Sequence, residues 1–243
     1  MAALIPARVA FVAGVPYSEA YRDVYHSAGG GPEQARHVFL GGNGLPQRWR
    51  ARESFTIVET GFGLGVNFLA TCAALLGDAK APERLDYVSA EKHPLARDDL
   101  AAALARYPEL RADELIALWP TPVEGVHRAR LARGRIELTL LLGDALEWLP
   151  RIDVRADAFY LDGFAPERNP ELWSAGIARE LARLAAPGAT LATWTVAREV
   201  RERLAAAGFE VEKRPGFGRK REMLAGRYAG HSTLTPASRT MRP

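Results

Sequence analysis

The chain has 243 residues, 48% of them hydrophobic and 25% charged, with 22 Gly and 16 Pro; this is ample material for one sizeable core and excludes disorder as the main state. Its formal charge of +3 permits a polyanionic partner without demanding one, and the excess is C-terminal, since residues 194–243 carry 11 Lys or Arg against 5 Asp or Glu. The single cysteine, Cys72, excludes a disulfide framework and a cysteine-based zinc site, fits a reducing compartment, and is itself expected in the core.

Residues 1–53 show no regular alternation and read as an N-terminal extension packed on the core. Arg8 interrupts the apolar start, so no signal peptide is expected and the address is cytoplasmic. Residues 55–60 (FTIVET) form the first expected strand, followed by the turn GFGLG and a helix over 66–76. The uncharged run 60–77 reads as loop plus helix rather than a membrane span. A second strand is expected at 85–90, a helix opened by Pro94 at 95–107, and a third strand at 136–142. Between the last two, residues 108–135, with Pro120, Pro122 and Gly125, read as an insertion before the third strand. A fourth strand at 157–161, a helix from about 172 to 186, a fifth strand at 189–194 and a helix over 196–207 ended by Gly208 follow. The last strands are placed near 209–214 and 222–228, and the tail 230–243 lacks periodicity and is expected to be flexible. Apolar runs alternating with helical patterns over 54–229 predict an α/β fold with a doubly wound, mostly parallel sheet.

The first chemical signal is Glu59-Thr-Gly61-Phe-Gly63-Leu-Gly65 between a strand and a helix. Glycines there let the backbone approach a ligand, and the helix presents free N–H groups. A dinucleotide fingerprint would need glycine at 66 or 68, where Val66 and Phe68 stand, and no Lys-Ser/Thr follows for a Walker-type loop. Glu91 at the end of the second strand can accept from both ribose hydroxyls, and Asp144 after the third can accept from an adenine amine. Three such strand ends on the carboxyl edge of a parallel sheet describe an adenosine site without phosphates, which S-adenosylmethionine fits. The alternatives are a structural glycine turn and acids that cap helices or face solvent.

After the fourth strand comes Leu161-Asp162-Gly163-Phe164-Ala165-Pro166, an acid, an aromatic and a proline placed like the substrate loop of methyltransferases acting on amines. Asp162 can take the amine's proton, and Phe164 can stack on a base or face the sulfonium. In the competing reading Asp162 caps a helix and Phe164 plugs the core. Lys213, Arg214, Arg219, Lys220 and Arg221 cluster with Phe217 in a Gly-flanked turn that suits RNA phosphates, or is plain solvated surface. The five His (26, 37, 93, 127 and 231) show no metal-ligand spacing, so no metal is expected. Trp173 and Trp194 are assigned to the core, and Trp49 and Trp119 are left open.

The strings ETGFGLGVNF (59–68), EKHPL (91–95), LDGFAPERNPELW (161–173) and KRPGFGRKREM (213–223) resemble the methyltransferase part of the bacterial bifunctional protein that makes 5-methylaminomethyl-2-thiouridine in tRNA. PYSEAYRDVY (16–25) and HVFLGGNGLPQRW (37–49) extend the likeness over about residues 16–226. The resemblance implies a Rossmann-like class I methyltransferase fold over 54–229, S-adenosyl-L-methionine as donor, and the primary amine of 5-aminomethyl-2-thiouridine at the wobble position, in the tRNA anticodon stem-loop, as acceptor. It implies donor contacts by Glu59, Gly61, Phe62, Gly63, Gly65, Asn67, Phe68, Glu91, Lys92, Asp144, Ala145 and Asp162. Asp162, Phe164 and Pro166 would form the catalytic loop. Where the family carries paired acids this chain has Arg22-Asp23. The bifunctional members continue into an FAD-dependent oxidoreductase domain, whereas this sequence stops at Pro243; it is expected to be a stand-alone enzyme, a truncated copy, or one partner of a separate oxidoreductase. Two other classes stay open: an aminopropyl transferase, which would want acidic residues around a polycation, and a non-catalytic RNA-binding module.

Overall fold

The computed structural model describes residues 2–230; the flexible tail expected from 230 onward lies, but for its first residue, outside them. The strands β1 (Val9–Val12), β2 (Val15–Ser18) and β3 (Asp23–Val24) make a small antiparallel sheet. The helix α1 (Gly31–Gln34) runs on into a wider π-type turn over Ala35–Gly41. Next come β4 (Ser54–Thr60), α2 (Val66–Gly77), β5 (Arg84–Glu91), α3 (Arg97–Leu104) and α4 (Asp113–Leu118). They are followed by β6 (Gly125–Leu131), β7 (Ile136–Leu142), α5 (Ala145–Trp148), β8 (Ala156–Leu161) and α6 (Ala175–Leu184). The chain then forms β9 (Ala185–Thr193), α7 (Arg198–Ala206), β10 (Phe209–Pro215) and β11 (Glu222–Tyr228).

The main sheet has the order β10-β11-β9-β8-β4-β5-β7-β6. β4 is central and parallel to both β5 and β8, β7 and β9 continue the parallel block, and antiparallel strands close both edges. β8 is buried at every residue, as a strand covered by helices on both faces must be. Because the connections from β4 and β8 leave in opposite directions, their carboxyl ends part and leave a crevice, the place where such sheets bind ligands.

The expected elements of the sheet appear with four physical differences. The helix expected over 95–107 ends at Leu104, because Tyr107 precedes Pro108 and the chain turns into a tighter helical turn at Pro108–Leu110. The helix expected from 172 begins at Ala175, where the Ser174 side chain accepts from Ile177 N at 3.3 Å and caps it. The fifth strand begins at Ala185 rather than 189, and a register shift beside Pro187 and Gly188 (φ +74°) absorbs the irregularity. The insertion read at 108–135 contains the edge strand β6, paired along its length with β7. Its outward positions are Val126, Arg128 and Arg130 and its inward ones include His127 and Ala129, so the apolar alternation that marks a strand is weak.

Trp49 and Trp119 are both fully buried. Trp119 Nε1 donates to Leu95 O at 2.9 Å and its ring stacks on Phe62 at 5.4 Å, so residues from the insertion brace the glycine loop. Cys72 and Trp173 are buried as expected. Trp194, expected in the core, is only partly buried and lies under the Lys220 ammonium at 4.6 Å, an arrangement that suits a cation on a ring face. Among the described residues no helix is long and apolar enough to cross a membrane.

Trp49 joins the N-terminal segment to the sheet: its Nε1 donates to Asp78 Oδ2 at 3.1 Å and its ring meets Phe55 edge-on at 6.2 Å. Trp49→Ala should cost about 3–5 kcal/mol of unfolding free energy. Urea denaturation checks this, and a loss under about 1 kcal/mol would show that the segment folds without this anchor.

Candidate active site

The carboxyl ends of β4, β5, β7 and β8 open onto a cavity of about 530 Å³, of the size that holds a small molecule. From the first loop Gly61, Phe62, Gly63 and Asn67 line it; from the second Glu91 and Lys92; from the third Asp144 and Ala145; from the fourth Asp162 and Phe164. Gly61 has φ +87°, and a Cβ there would stand 2.5 Å from Asp162 O. The two loops that flank the crevice therefore touch backbone to backbone, which only glycine permits.

Glu91 ties the loops together, with Oε2 accepting from Gly63 N at 2.8 Å and Oε1 from His93 N at 2.7 Å. Each oxygen keeps a lone pair, which suits a vicinal pair of hydroxyls. Asp144 caps α5 by accepting from Leu146 N at 2.9 Å, and Lys92 Nζ lies 3.0 Å from its other oxygen and 3.5 Å from Glu171. The lining acids and bare backbone fit a nucleoside with hydroxyls and an exocyclic amine.

Two carboxyl groups share one amide. Asn67 Nδ2 donates to Glu59 Oε1 at 3.0 Å and to Asp162 Oδ2 at 2.8 Å. Glu59 also accepts from Ser89 Oγ at 2.7 Å, and Asp162 from Gly163 N at 3.0 Å. Burial pushes the Glu59 carboxyl up to about 8 against these hydrogen bonds. Burial, aided by the charge of Glu91, holds Asp162 at about 7, close to where a proton can be both taken and released.

Four expected contact residues are not in the cavity wall. Glu59 is fully buried behind Asn67 and Ser89 and reaches the site only through them. Phe68 is fully buried against Tyr87 at 5.0 Å, on the inner side of α2. Gly65 supplies the positive φ (+71°) that starts α2, where a Cβ would strike the Phe62 ring at 2.7 Å. Pro166 is buried and does not line the cavity, whereas the half-buried Phe164 does. Neither competing reading of the loop holds: Asp162 bonds to Asn67 and its own loop, and the half-buried Phe164 stacks on Tyr21 at 4.5 Å with Tyr25 edge-on at 5.3 Å.

The N-terminal segment supplies a wall of the cavity that sequence reasoning missed. Ser18, Tyr21, Tyr25, His26 and Gln34 face it. Asp23 Oδ2 accepts from Ala165 N at 2.9 Å, fastening the segment to the loop after β8. His26 is held by Ser27 O at 2.8 Å and by the Tyr107 hydroxyl, and burial lowers its pKa. The one signal for Ser18, Tyr21 and Tyr25 was the string PYSEAYRDVY, with three tyrosines four residues apart and two acids between them, running from β2 to just past β3.

The basic turn lies between β10 and β11, outside the cavity. Lys213 pairs with Glu222 and Arg214 with Glu212, each at 2.7 Å, whereas Arg219 and Arg221 are exposed. Phe217 packs against His37 at 5.8 Å, and His37 Nε2 donates to Pro215 O at 2.9 Å, which sets the turn against the N-terminal segment. No cluster of three or more His, Cys, Asp or Glu among the described residues could hold a metal ion.

Comparison with known proteins finds methyltransferase relatives. A family model for S-adenosyl-L-methionine-dependent methyltransferases matches residues 109–229. The chain is 60% identical over 226 residues to the tRNA 5-methylaminomethyl-2-thiouridine biosynthesis bifunctional protein MnmC of Aromatoleum aromaticum, covering 92% of this chain and 36% of that one. It is 61% identical over 230 residues to the protein of the same name from Azoarcus sp., covering 93% and 36%. The chain thus spans about a third of the length of these curated relatives. The crystal structure of MNMC2 from Aquifex aeolicus superposes with a TM-score of 0.71 at 22% identity, covering 93% of this chain and 72% of that one, and shares its fold.

The raised carboxyls carry a stability consequence. Unfolded Asp and Glu titrate near pH 3.9 and 4.3, so between roughly pH 4 and 8 the native state binds more protons than the unfolded one. Stability therefore falls as pH rises through that window. Glu59→Gln removes the share due to Glu59: its denaturation midpoint should vary less from pH 5 to 9 and exceed that of the parent protein at pH 9. An unchanged pH slope would mean that Glu59 is ionised in the folded protein.

Proposed function

We propose that the chain is an S-adenosyl-L-methionine-dependent methyltransferase, as its family match and relatives suggest, and that it methylates the primary amine of 5-aminomethyl-2-thiouridine at the tRNA wobble position, giving 5-methylaminomethyl-2-thiouridine. The observation that carries this reading is the half-buried Asp162, which accepts from Asn67 Nδ2 at 2.8 Å where the loops after β4 and β5 meet the aromatic wall of Tyr21, Tyr25 and Phe164. These relatives do not favour an aminopropyl transferase or a non-catalytic RNA-binding module. The reaction would take place in the cytoplasm with its tRNA, and an FAD-dependent oxidoreductase activity would supply the oxidation that uncovers the amine.

S-adenosyl-L-methionine supplies a methyl group activated on a sulfonium. Glu91 would hold the ribose hydroxyls and Asp144 the adenine amine, while Gly61 and Gly63 let the backbone approach. Asp162 would accept from the incoming amine and aim its lone pair at the methyl group, which S-adenosyl-L-methionine would release with the C–S electrons staying on sulfur. The proton released from nitrogen passes to Asp162. Asn67 keeps the carboxylate aimed at this position, and the aromatic stack keeps the base from turning away.

The test is transfer of labelled methyl to tRNA carrying the 5-aminomethyl form, with none to the 5-carboxymethylaminomethyl form, because a second carboxylate beside Asp162 is repelled. Conversion of the carboxymethylaminomethyl nucleoside would overturn the reading. Asp162→Asn keeps size and an acceptor but cannot take the proton, so kcat should fall by about 10²–10⁴ while donor affinity holds. A defect in donor affinity alone would move Asp162 to the donor side.

Lys220, Arg219 and Arg221 would bind tRNA phosphates beside the cavity. Replacing Lys220 and Arg221 together by Ala should lower the log–log salt slope of tRNA binding by about 1–2 and leave donor binding intact. An unchanged slope would make the turn ordinary surface.

A further inference from the structure

Asn169 lies in the loop after β8, is 7% exposed, and lines the cavity. Its backbone N–H donates to Ala165 O at 3.0 Å, but its side-chain amide has no hydrogen-bond partner among the described residues. Buried amides are paired as a rule, and one left open toward a cavity is suited to pair with what enters it. The other amides of the site are at least partly committed. Asn67 spends both its N–H bonds on Glu59 and Asp162, and Gln34 Oε1 accepts from Ser27 N at 2.8 Å.

The position of Asn169 says which ligand it faces. The 3.0 Å bond to Ala165 closes the turn that directly follows Phe164, and Ala165 N is itself held by Asp23 of the N-terminal segment. Asn169 thus belongs to the same short braced loop as the acid and Phe164. A carboxamide offers one donor and one acceptor side by side. A uracil-type ring offers the complement, the O4 carbonyl next to the N3–H.

Resting on the methyltransferase reading, we propose that Asn169 is a specificity-determining residue that reads the imide edge of the acceptor pyrimidine, its N–H donating to O4 and its carbonyl accepting from N3–H. The Tyr21–Phe164 stack carries the face of the same ring. The two parallel hydrogen bonds would fix the ring so that the substituent on C5, next to C4, points at Asp162.

The experiment compares the parent protein with Asn169→Ala and Asn169→Asp on two synthetic anticodon stem-loops, one with 5-aminomethyl-2-thiouridine and one with the same base methylated at N3. Asn169→Ala should lower kcat/KM on the first by about ten- to a hundredfold, mainly through KM, with donor affinity by calorimetry unchanged. Asn169→Asp keeps the shape of the loop but not the donor, and should lose at least as much. N3-methylation should cost the parent protein a similar factor and cost Asn169→Ala little more, a coupling that a merely structural loop residue would not give. Parent-like kcat/KM in both variants, an equal N3-methyl penalty with and without Asn169, or a loss confined to donor affinity would each overturn the proposal. If the parent protein methylates neither stem-loop, the functional reading above fails; the same variants and stem-loops in an anisotropy binding assay without donor then still decide the role of Asn169.

Discussion

One amide holds the interior of the site together. Asn67 stands near the start of α2 and spends both its N–H bonds on carboxyl groups from two neighbouring strands, Glu59 on β4 and Asp162 at the end of β8. Burying two carboxyls so close together is costly unless each is paired or protonated. The chain does some of both, with Ser89 and Gly163 supplying further donors and the pKa of each group displaced upward. The conflict between stability and chemistry is thereby placed at one point: an apolar pair would pack more cheaply, but only a carboxyl with a raised pKa can exchange a proton near neutrality.

From that constraint the surrounding loops follow. Asp162 keeps its position only if the loop after β8 is braced, and Gly61 makes this possible by letting the loop after β4 lie against Asp162 O with no side chain between. On the other side the bracing comes from far away in sequence, through Asp23 to Ala165 and Tyr21 to Phe164. The N-terminal segment is therefore part of the site. It closes the acceptor side of a cavity whose donor side is made by strand ends.

How much of this was legible in the sequence depended on the range of the contacts. The strands β4, β5, β7 and β8 announced themselves through apolar runs bounded by glycine, and Glu91, Asp144 and Asp162 through their position at the ends of those strands. Such features are local. Glu59 was assigned to the ligand because it begins the glycine motif, yet its side chain runs under α2 to Asn67 and Ser89, a matter of which sheet face it occupies. β6 went unseen because Val126 faces outward and the polar His127 inward, which breaks the period-2 signal. Tyr21, Tyr25 and Asn169 become site residues only through pairings with Phe164 and Ala165, and for the tyrosines these span more than a hundred positions, which no local pattern encodes.

The same distinction between local composition and spatial placement bears on the basic turn. Its five cations read as one charge cluster, but Lys213 and Arg214 are partnered by Glu222 and Glu212, so less positive charge faces outward than the sequence suggests. Surface ion pairs of this kind are weak and exchange readily for phosphate contacts. Lys220 is different, resting over the Trp194 ring at the end of β9 and feeling the charges of Asp23 and Glu167 on the two segments that frame the acceptor side. Phe217 and Pro215 pack against His37, which sets the turn beside the N-terminal wall of the cavity. On the proposed reading, a polyanion drawn to Arg219, Lys220 and Arg221 would lie alongside the aromatic wall, so that one strand could meet the turn through its phosphates and the cavity through its base. Sequence-blind charge would then supply affinity, while Asn169 and the aromatic stack would supply selection.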